Sequence, residues 1–454
     1  MRRAALYLVT ALALGAPLVA FGVKERDRRA VDGQLRDGLA LIDAPVEHGL
    51  EVPAADLVHA QELFERAWHG DPSGDAGRRA RALWHVAQAT RDFARGDLVL
   101  AHEEADIAAH LLPGEPHSRV VEAEIALHRN DRPAAERILE ALTASQAPLP
   151  PALAARARLL RVDLLLDTER ASDALALAET LDHDHPRSAA VKNRLGLARA
   201  AVGDRAGARA AYDDAVRIDP RYDAAMVNLA RLARERGDLA EARTLLERAL
   251  AIATDSPEAW LAYGVVLGEL HADTARHALV RAGELAPDDP APWVAQGDLD
   301  LAEGNADGAA ESFRQALARD ENHASARTNL GIALVRLGRR DEARQAFEEA
   351  TRRAPHQGEA WNGLGVMRLS SGDPDGAIGP LEQAAALLPD DPNPSLNLGR
   401  AFESLQRFDE AVHAFREALR RAPNNATAME HLVRLMPAPA RERELRRIGR
   451  LAAR

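Results

Sequence analysis

The chain contains no cysteine, which excludes disulfides, thiolate metal sites and a cysteine nucleophile and leaves the redox compartment open. Lysine is nearly absent too: Lys24 and Lys192 are the only two, and the remaining positive charge is arginine, read as the codon bias of a GC-rich bacterium. Aromatic residues make up only 4% of the sequence against 28% charged residues. With abundant alanine, that mixture favours helix, because alanine loses no side-chain entropy and packs closely. No broad basic stripe balances the formal net charge of −12, which reads as spread along the chain and counts against nucleic acid as a partner.

Catalytic signatures are also missing. Neither lysine follows a glycine-rich phosphate loop, and there is no Gly-x-Ser-x-Gly elbow or His-Glu-x-x-His pair. His102, Asp106 and His110 stand four apart, which puts the two histidines about 12 Å apart on a helix, too far to share one ion. His183 and His185 alternate with Asp182 and Asp184 before Pro186. They would hold a metal only if another repeat supplied a third ligand, and otherwise read as a polar turn. Adjacent acids such as Asp213-Asp214 and Glu348-Glu349 point about 100° apart on a helix and read as solvated surface. No enzyme, cofactor, metal or small-molecule substrate is expected. A residual enzymatic site would have to lie within 24–150.

One long apolar run exists. After Arg2 and Arg3, an uncharged stretch extends from Ala4 to Val23 and is followed by the charged residues Lys24 to Arg29. Twenty such residues can span a bilayer as a helix. A single-pass anchor is favoured over a signal peptide cleaved near Ala20, since Pro17 fits a cleavage region but Leu18 does not. Basic residues on both flanks leave orientation undecided by the positive-inside rule. The expectation leans towards an inner-membrane anchor with the body outside the cytoplasm; a secreted body after cleavage or a cytoplasmic body are the alternatives.

At 454 residues the chain is too long for one ordinary core, which directs attention to repeats. Small residues recur at Gly196, Ala230, Gly264, Gly297, Gly331, Gly365 and Gly399, 34 residues apart except for one interval of 33. A second series follows twelve residues on, from Ala208 to Ala411, eleven on in the shortened unit, and a third seven later, from Ala215 to Ala418. Tyr212, Leu246, Phe313, Phe347, Leu381 and Phe415 lie between the two alanines on the same helical face. Pro220, Pro287, Pro355, Pro389 and Pro423 close the second helix in five of the seven units, and turns such as Gly203-Asp204 and Gly372-Asp373 offer a left-handed helix end followed by a cap. Where two helices cross closely only a minimal side chain fits, so the small residues mark crossings and the large ones fill the neighbouring holes.

This pattern resembles the tetratricopeptide repeat: Trp361, Leu364, Gly365, Ala377, Leu381, Ala384 and Pro389 match its signature within one unit. The resemblance covers roughly 41–425. It is strong from 189 and weaker before, where 155–188, 116–149 and 82–115 read as degenerate units, and Ala60, Phe64 and Ala67 as a further second helix preceded by an amphipathic one with Leu35, Leu39 and Ile42. Pro148, Pro150 and Pro151 mark a break. The resemblance implies an all-α, right-handed solenoid of helix hairpins, about seven clear repeats and three degenerate ones, behind an N-terminal hydrophobic segment. The expected divisions are 1–29 (signal or anchor), 30–188 (degenerate), a regular array at 189–425 (189–222, 223–256, 257–289, 290–323, 324–357, 358–391 and 392–425), and 426–454 (capping helix and basic tail).

In this family the first helix of each pair lines a concave face that takes protein segments. The matching positions here are Asn193, Asn228, Arg231, Asn329, Asn362, Asn393, Asn397, Arg400 and Glu403. Asn228, Asn329 and Asn397 share one repeat position, similar to the asparagine ladder of O-linked N-acetylglucosamine transferases, with Ala262, Ala295 and Gly363 interrupting it. The lysines of carboxylate-clamping repeats are absent. The reading is a scaffold or adaptor for protein segments at a bacterial membrane; an accessory subunit in envelope polysaccharide or outer-membrane assembly or export is the alternative.

Overall fold

The computed structural model describes residues 28–43, 54–144, 149–271 and 273–436. The described residues form helices, turns and no strand, in two compact units that meet between Ile252 and Ala253. That division falls inside the regular array, away from the change in repeat quality at 188–189.

The first unit is a run of six hairpins: α1 (28–42) with α2 (Ala54–Gly70), α3 (Asp75–Ala94) with α4 (Leu98–Leu111), α5 (Pro116–His128) with α6 (Arg132–Ala144), α7 (Pro151–Asp167) with α8 (Ala171–Asp184), α9 (Ala189–Ala201) with α10 (Arg205–Ile218), and α11 (Asp223–Glu235) with α12 (Leu239–Ile252). The second unit continues the pattern with α13 (Pro257–Glu269) and α14 (Ala275–Leu285), α15 (Ala291–Glu303) and α16 (Ala306–Arg319), α17 (Ala324–Arg336) and α18 (Arg340–Arg353), α19 (Gly358–Ser370) and α20 (Pro374–Leu387), and α21 (Pro392–Ser404) and α22 (Phe408–Arg421), closed by α23 (Ala426–Leu435). Within each unit a helix packs on its hairpin partner and on the next hairpin, so the core is a row of small clusters, as expected for a stack of repeats.

The small residue of each first helix meets the large residue of its second helix. A Cβ at Gly331 would stand 2.7 Å from the Phe347 ring, and at Gly297, Gly365 and Gly399 only 2.5 Å from Phe313, Leu381 and Phe415. Phe313 and Phe415 are wholly buried, as are the alanines on either side of them. Burying each such ring contributes about 1.5–3 kcal/mol, which is available only because glycine lets the backbones close in. The same relation appears where the repeat signature is faint: a Cβ at Gly38 of α1 would lie 2.5 Å from Phe64 of α2.

The turns inside hairpins need a left-handed residue, supplied by Gly203, Gly237, Gly338 and Gly372 at φ between 72° and 86°. Where the next residue is aspartate it caps the second helix: Asp204 accepts from Gly207 N at 2.8 Å and Asp373 from Gly376 N at 2.9 Å. The shortened repeat resolves differently from a simple loop deletion. Its turn residue His271 takes φ 52°, and α14 has 11 residues where the other second helices of the second unit have 14. The missing residue therefore comes partly from the start of the helix. Pro150 and Pro151 open α7, where a missing N–H costs nothing.

No helix among the described residues is long and apolar enough to cross a membrane. The run from Ala4 to Val23, Pro148 and the arginine-rich tail from 437 onward lie outside the described residues.

Candidate functional site

The first helices carry the sequence-selected polar residues, and their side chains reach across to one another. Asn228 on α11 donates from Nδ2 to Asn193 Oδ1 on α9 at 2.9 Å. Asn329 on α17 donates to Asp298 Oδ1 on α15 at 2.8 Å, and Asn397 on α21 to Asn362 Oδ1 on α19 at 3.1 Å. Each asparagine at the shared repeat position thus reaches back to the preceding first helix. The three do not stand as free amides; they brace neighbouring repeats.

Burial separates the pairs. Asn193 and Asn228 are 3% and 9% exposed, so in the first unit the bond is structural. In the second unit the Asp298–Asn329 pair is open, with Asp298 exposed and Asn329 partly covered, whereas the partly covered Asn362 pairs with an Asn397 that is 8% exposed, as buried as Asn228. Desolvation pushes the Asp298 carboxyl above the ordinary aspartate range, against the Asn329 amide and the nearby His323, which draw it down. Next to these pairs, Ile332 and Val335 on α17 are exposed, at 37% and 39%. The face therefore combines an amide–carboxylate pair, an aliphatic step and an amide–amide pair, with Arg400 directed at Asn397 Oδ1 at 3.5 Å.

The other selected residues divide. Arg231 and Arg400 are exposed on first helices. Asn393 sits at the start of α21 and donates from Nδ2 to Asp391 Oδ1 at 2.8 Å, which ties it to its own turn. Glu403 is committed to the end of the stack: it accepts from Arg434 at 2.7 Å and meets His431 Nδ1 at 2.6 Å, while the His431 ring stacks on Phe415 with centroids 5.0 Å apart. Those bonds outweigh desolvation and hold the Glu403 carboxyl below the ordinary glutamate range. It fastens the capping helix.

Three participants escaped the sequence. Asp298 follows Gly297 as Arg231 follows Ala230 and Arg400 follows Gly399, so a search for charge at that one position finds it. Arg194, at the asparagine position of its repeat, bridges Asp163 on α7 at 3.3 Å and the Tyr222 hydroxyl at 3.0 Å. Gln296 occupies a position where five other repeats carry leucine. The negative charge is also less evenly spread than it reads at first: fourteen acids face four bases between Ala253 and His323, close to the whole net charge of the chain.

Among the described residues no three His, Asp or Glu side chains gather as a metal site. Asp182 of the His-Asp turn pairs with Lys192 at 2.7 Å. His102 and Asp106 stand 3.7 Å apart on an exposed face. What the first-helix faces offer is hydrogen bonding and apolar contact, the chemistry of recognition.

Models described as tetratricopeptide repeat match residues 116–141, 199–264, 294–339, 328–392 and 368–436. No curated protein matches the chain in sequence. Among solved structures, the Cut9–Hcn1 hetero-tetramer of the APC/C is similar with a TM-score of 0.55 at 16% identity, over 85% of this chain and 84% of that one. Yeast Tom70 gives 0.47 at 14% identity over 92% and 97%, and a tetratricopeptide repeat protein from Parabacteroides merdae 0.42 at 20% over 54% and 98%. At 16% identity the likeness to the first of these is one of fold alone.

Proposed function

Because the chain belongs to the tetratricopeptide-repeat family, we propose that it is a non-enzymatic scaffold that binds segments of other proteins along its first-helix faces. The observation behind this is the first-helix stretch of the second unit, where Asp298, Asn329 and Asn362, with the buried Asn397 bracing Asn362, accompany the exposed Ile332 and Val335. Backbone amides of an extended segment can pair with such side chains while its apolar residues cover the aliphatic step. An exposed aliphatic pair on a monomer is otherwise unremarkable; the polar groups beside it give it direction.

The same proposal places the scaffold at a bacterial membrane, held by residues 1–29, with the body outside the cytoplasm. The apolar length of Ala4–Val23 supports this. A reporter active only outside the cytoplasm, fused after Arg454, tests the orientation, and removal of 1–29 should release the body from the membrane fraction.

Affinity capture with the body lacking residues 1–29 tests binding itself. The expected result is a specific partner that is lost or weakened in Ile332→Asn and Arg400→Ala. Capture of nothing specific, or capture indifferent to both substitutions, would overturn the reading.

A further inference from the structure

The first unit contains a buried cluster that the binding face does not use. His117, in the first turn of α5, is 4% exposed, and both of its ring nitrogens face carboxylates: Nε2 lies 2.9 Å from Asp43 Oδ1 and Nδ1 lies 3.0 Å from Glu115 Oε1. Asp43 is the turn residue that ends α1, and Glu115 is the residue immediately before α5, its side chain turned to His117 and making no capping bond. Arg79 of α3 closes the cluster, with Nε 3.3 Å from Glu115 Oε2. A neutral imidazole has one N–H and one lone pair, so it can satisfy one carboxylate while its lone pair confronts the other. Two ionised carboxylates on the two nitrogens require the doubly protonated ring.

From this geometry we infer that His117 is a pH-sensitive latch: as imidazolium it ties the end of α1 to α3 and α5, and loss of its proton loosens α1 from the end of the stack. The charges around the cluster favour this assignment. Asp43 and Glu115 carry two negative charges and Arg79 one positive, so the imidazolium brings the group to neutrality around the buried Glu115, with Asp43 and Arg79 at its partly exposed edge, while a neutral ring leaves Asp43 without a positive partner inside it. From the other elements packed on α5, α7 brings Arg156, which pairs with Glu124 further along α5, and α4 brings the Ala105 carbonyl, 3.5 Å from Ser118 Oγ. Among the described residues neither α4 nor α6 sets a charged group against the ring.

Burial disfavours the charged ring, but the bonds to Asp43 and Glu115 outweigh it and raise the His117 pKa above the ordinary histidine value. A raised folded value gives stability that is complete below the unfolded pKa and lost as pH rises through the folded one. What the latch holds is an apolar seam: Val31 and Leu35 of α1 pack with Phe64 of α2 and Leu83 of α3. Loosening α1 uncovers that seam at the end of the unit.

Hydrogen exchange of the full chain between pH 6 and pH 9, corrected for the intrinsic pH dependence of exchange, tests this. Protection of segment 28–43 should fall about tenfold for each unit by which the pKa is raised, while segment 392–404 in the second unit keeps its protection. His117→Gln should show low protection at every pH. Asp43→Asn, which keeps an acceptor but removes the charge, should move the fall to lower pH. Protection of 28–43 that follows 392–404 across the range would overturn the latch, as would His117→Gln retaining the wild-type fall. Should His117→Gln not fold, an unmoved transition in Asp43→Asn overturns it alone.

Discussion

Asn228 Nδ2 lies 2.9 Å from Asn193 Oδ1, and the bond joins the first helices of consecutive repeats through two side chains that are almost fully buried. A buried amide left without its partner loses its hydrogen bond and regains no water, so truncation costs more than the bond contributes. Asn228→Ala should therefore lower stability by about 1–3 kcal/mol, read as a fall in the melting temperature. Asn329→Ala, at the same repeat position but partly exposed, should stay within about 0.5 kcal/mol of wild type. Equal losses at the two sites would show that burial does not separate the pairs.

The glycines of the second unit test packing in both directions. A side chain at Gly365 must displace Leu381, whose Cγ lies 2.5 Å from the Cβ position, so Gly365→Leu should force α19 and α20 apart and cost several kcal/mol, about 3 or more. Gly283 lies in α14, where a Cβ would meet Pro292 and Trp293 at ordinary contact distances of 3.7–3.8 Å. There alanine removes backbone freedom from the unfolded chain, and Gly283→Ala should stabilise by about 0.5–1 kcal/mol. Denaturant melts of the two variants against wild type give opposite shifts if the crossing geometry is right.

These crossings were legible in the sequence because each depends on one small and one large residue at a fixed spacing, and steric exclusion leaves little freedom in how such residues meet. The shared place of Asn228, Asn329 and Asn397, two residues before the small one, could be read for the same reason: helical register sets which side a residue lies on. Register does not say which polar group a side chain will choose. Asn329 reaches Asp298 and Asn397 reaches Asn362, at different repeat positions, because the nearest acceptor depends on neighbours brought together only by stacking. The His117 cluster was hidden for a related reason, since Asp43 and His117 are 74 residues apart and no repeat relates them.

Glu403 should govern acid stability at the end of the second unit. Its folded pKa is lowered, so its contribution is present above the unfolded glutamate value, near 4.5, and is lost as pH falls through the folded value. Below that range Arg434 and His431 lose their anionic partner and α23 is no longer fastened to α21. Proteolysis of α23 should rise on acidification in wild type, and Glu403→Gln should show the raised cleavage already at neutral pH. A variant as resistant as wild type at pH 7 would mean that apolar packing of Leu432 and Met436 suffices to hold the cap.

Gln296 separates stability from recognition. Leu195, Leu229, Leu330, Leu364 and Leu398 stand at its position in other repeats, yet here a 7% exposed side chain carries an amide Nε2 without a hydrogen-bond partner among the described residues. Leucine has nearly the same volume and no group to leave unsatisfied, so Gln296→Leu should raise stability by about 1–3 kcal/mol, the cost of an unpaired buried polar group. The substitution lies on α15, two residues before Asp298, and so touches the helix that supplies the acidic end of the open face. If the amide is retained for recognition, the stabilised variant captures less partner; if it is a tolerated packing defect, capture is unchanged while the melting temperature rises. A fall in stability instead would show that the Gln296 side chain contributes a bond that leucine cannot replace, and would remove the ground for treating it as unsatisfied.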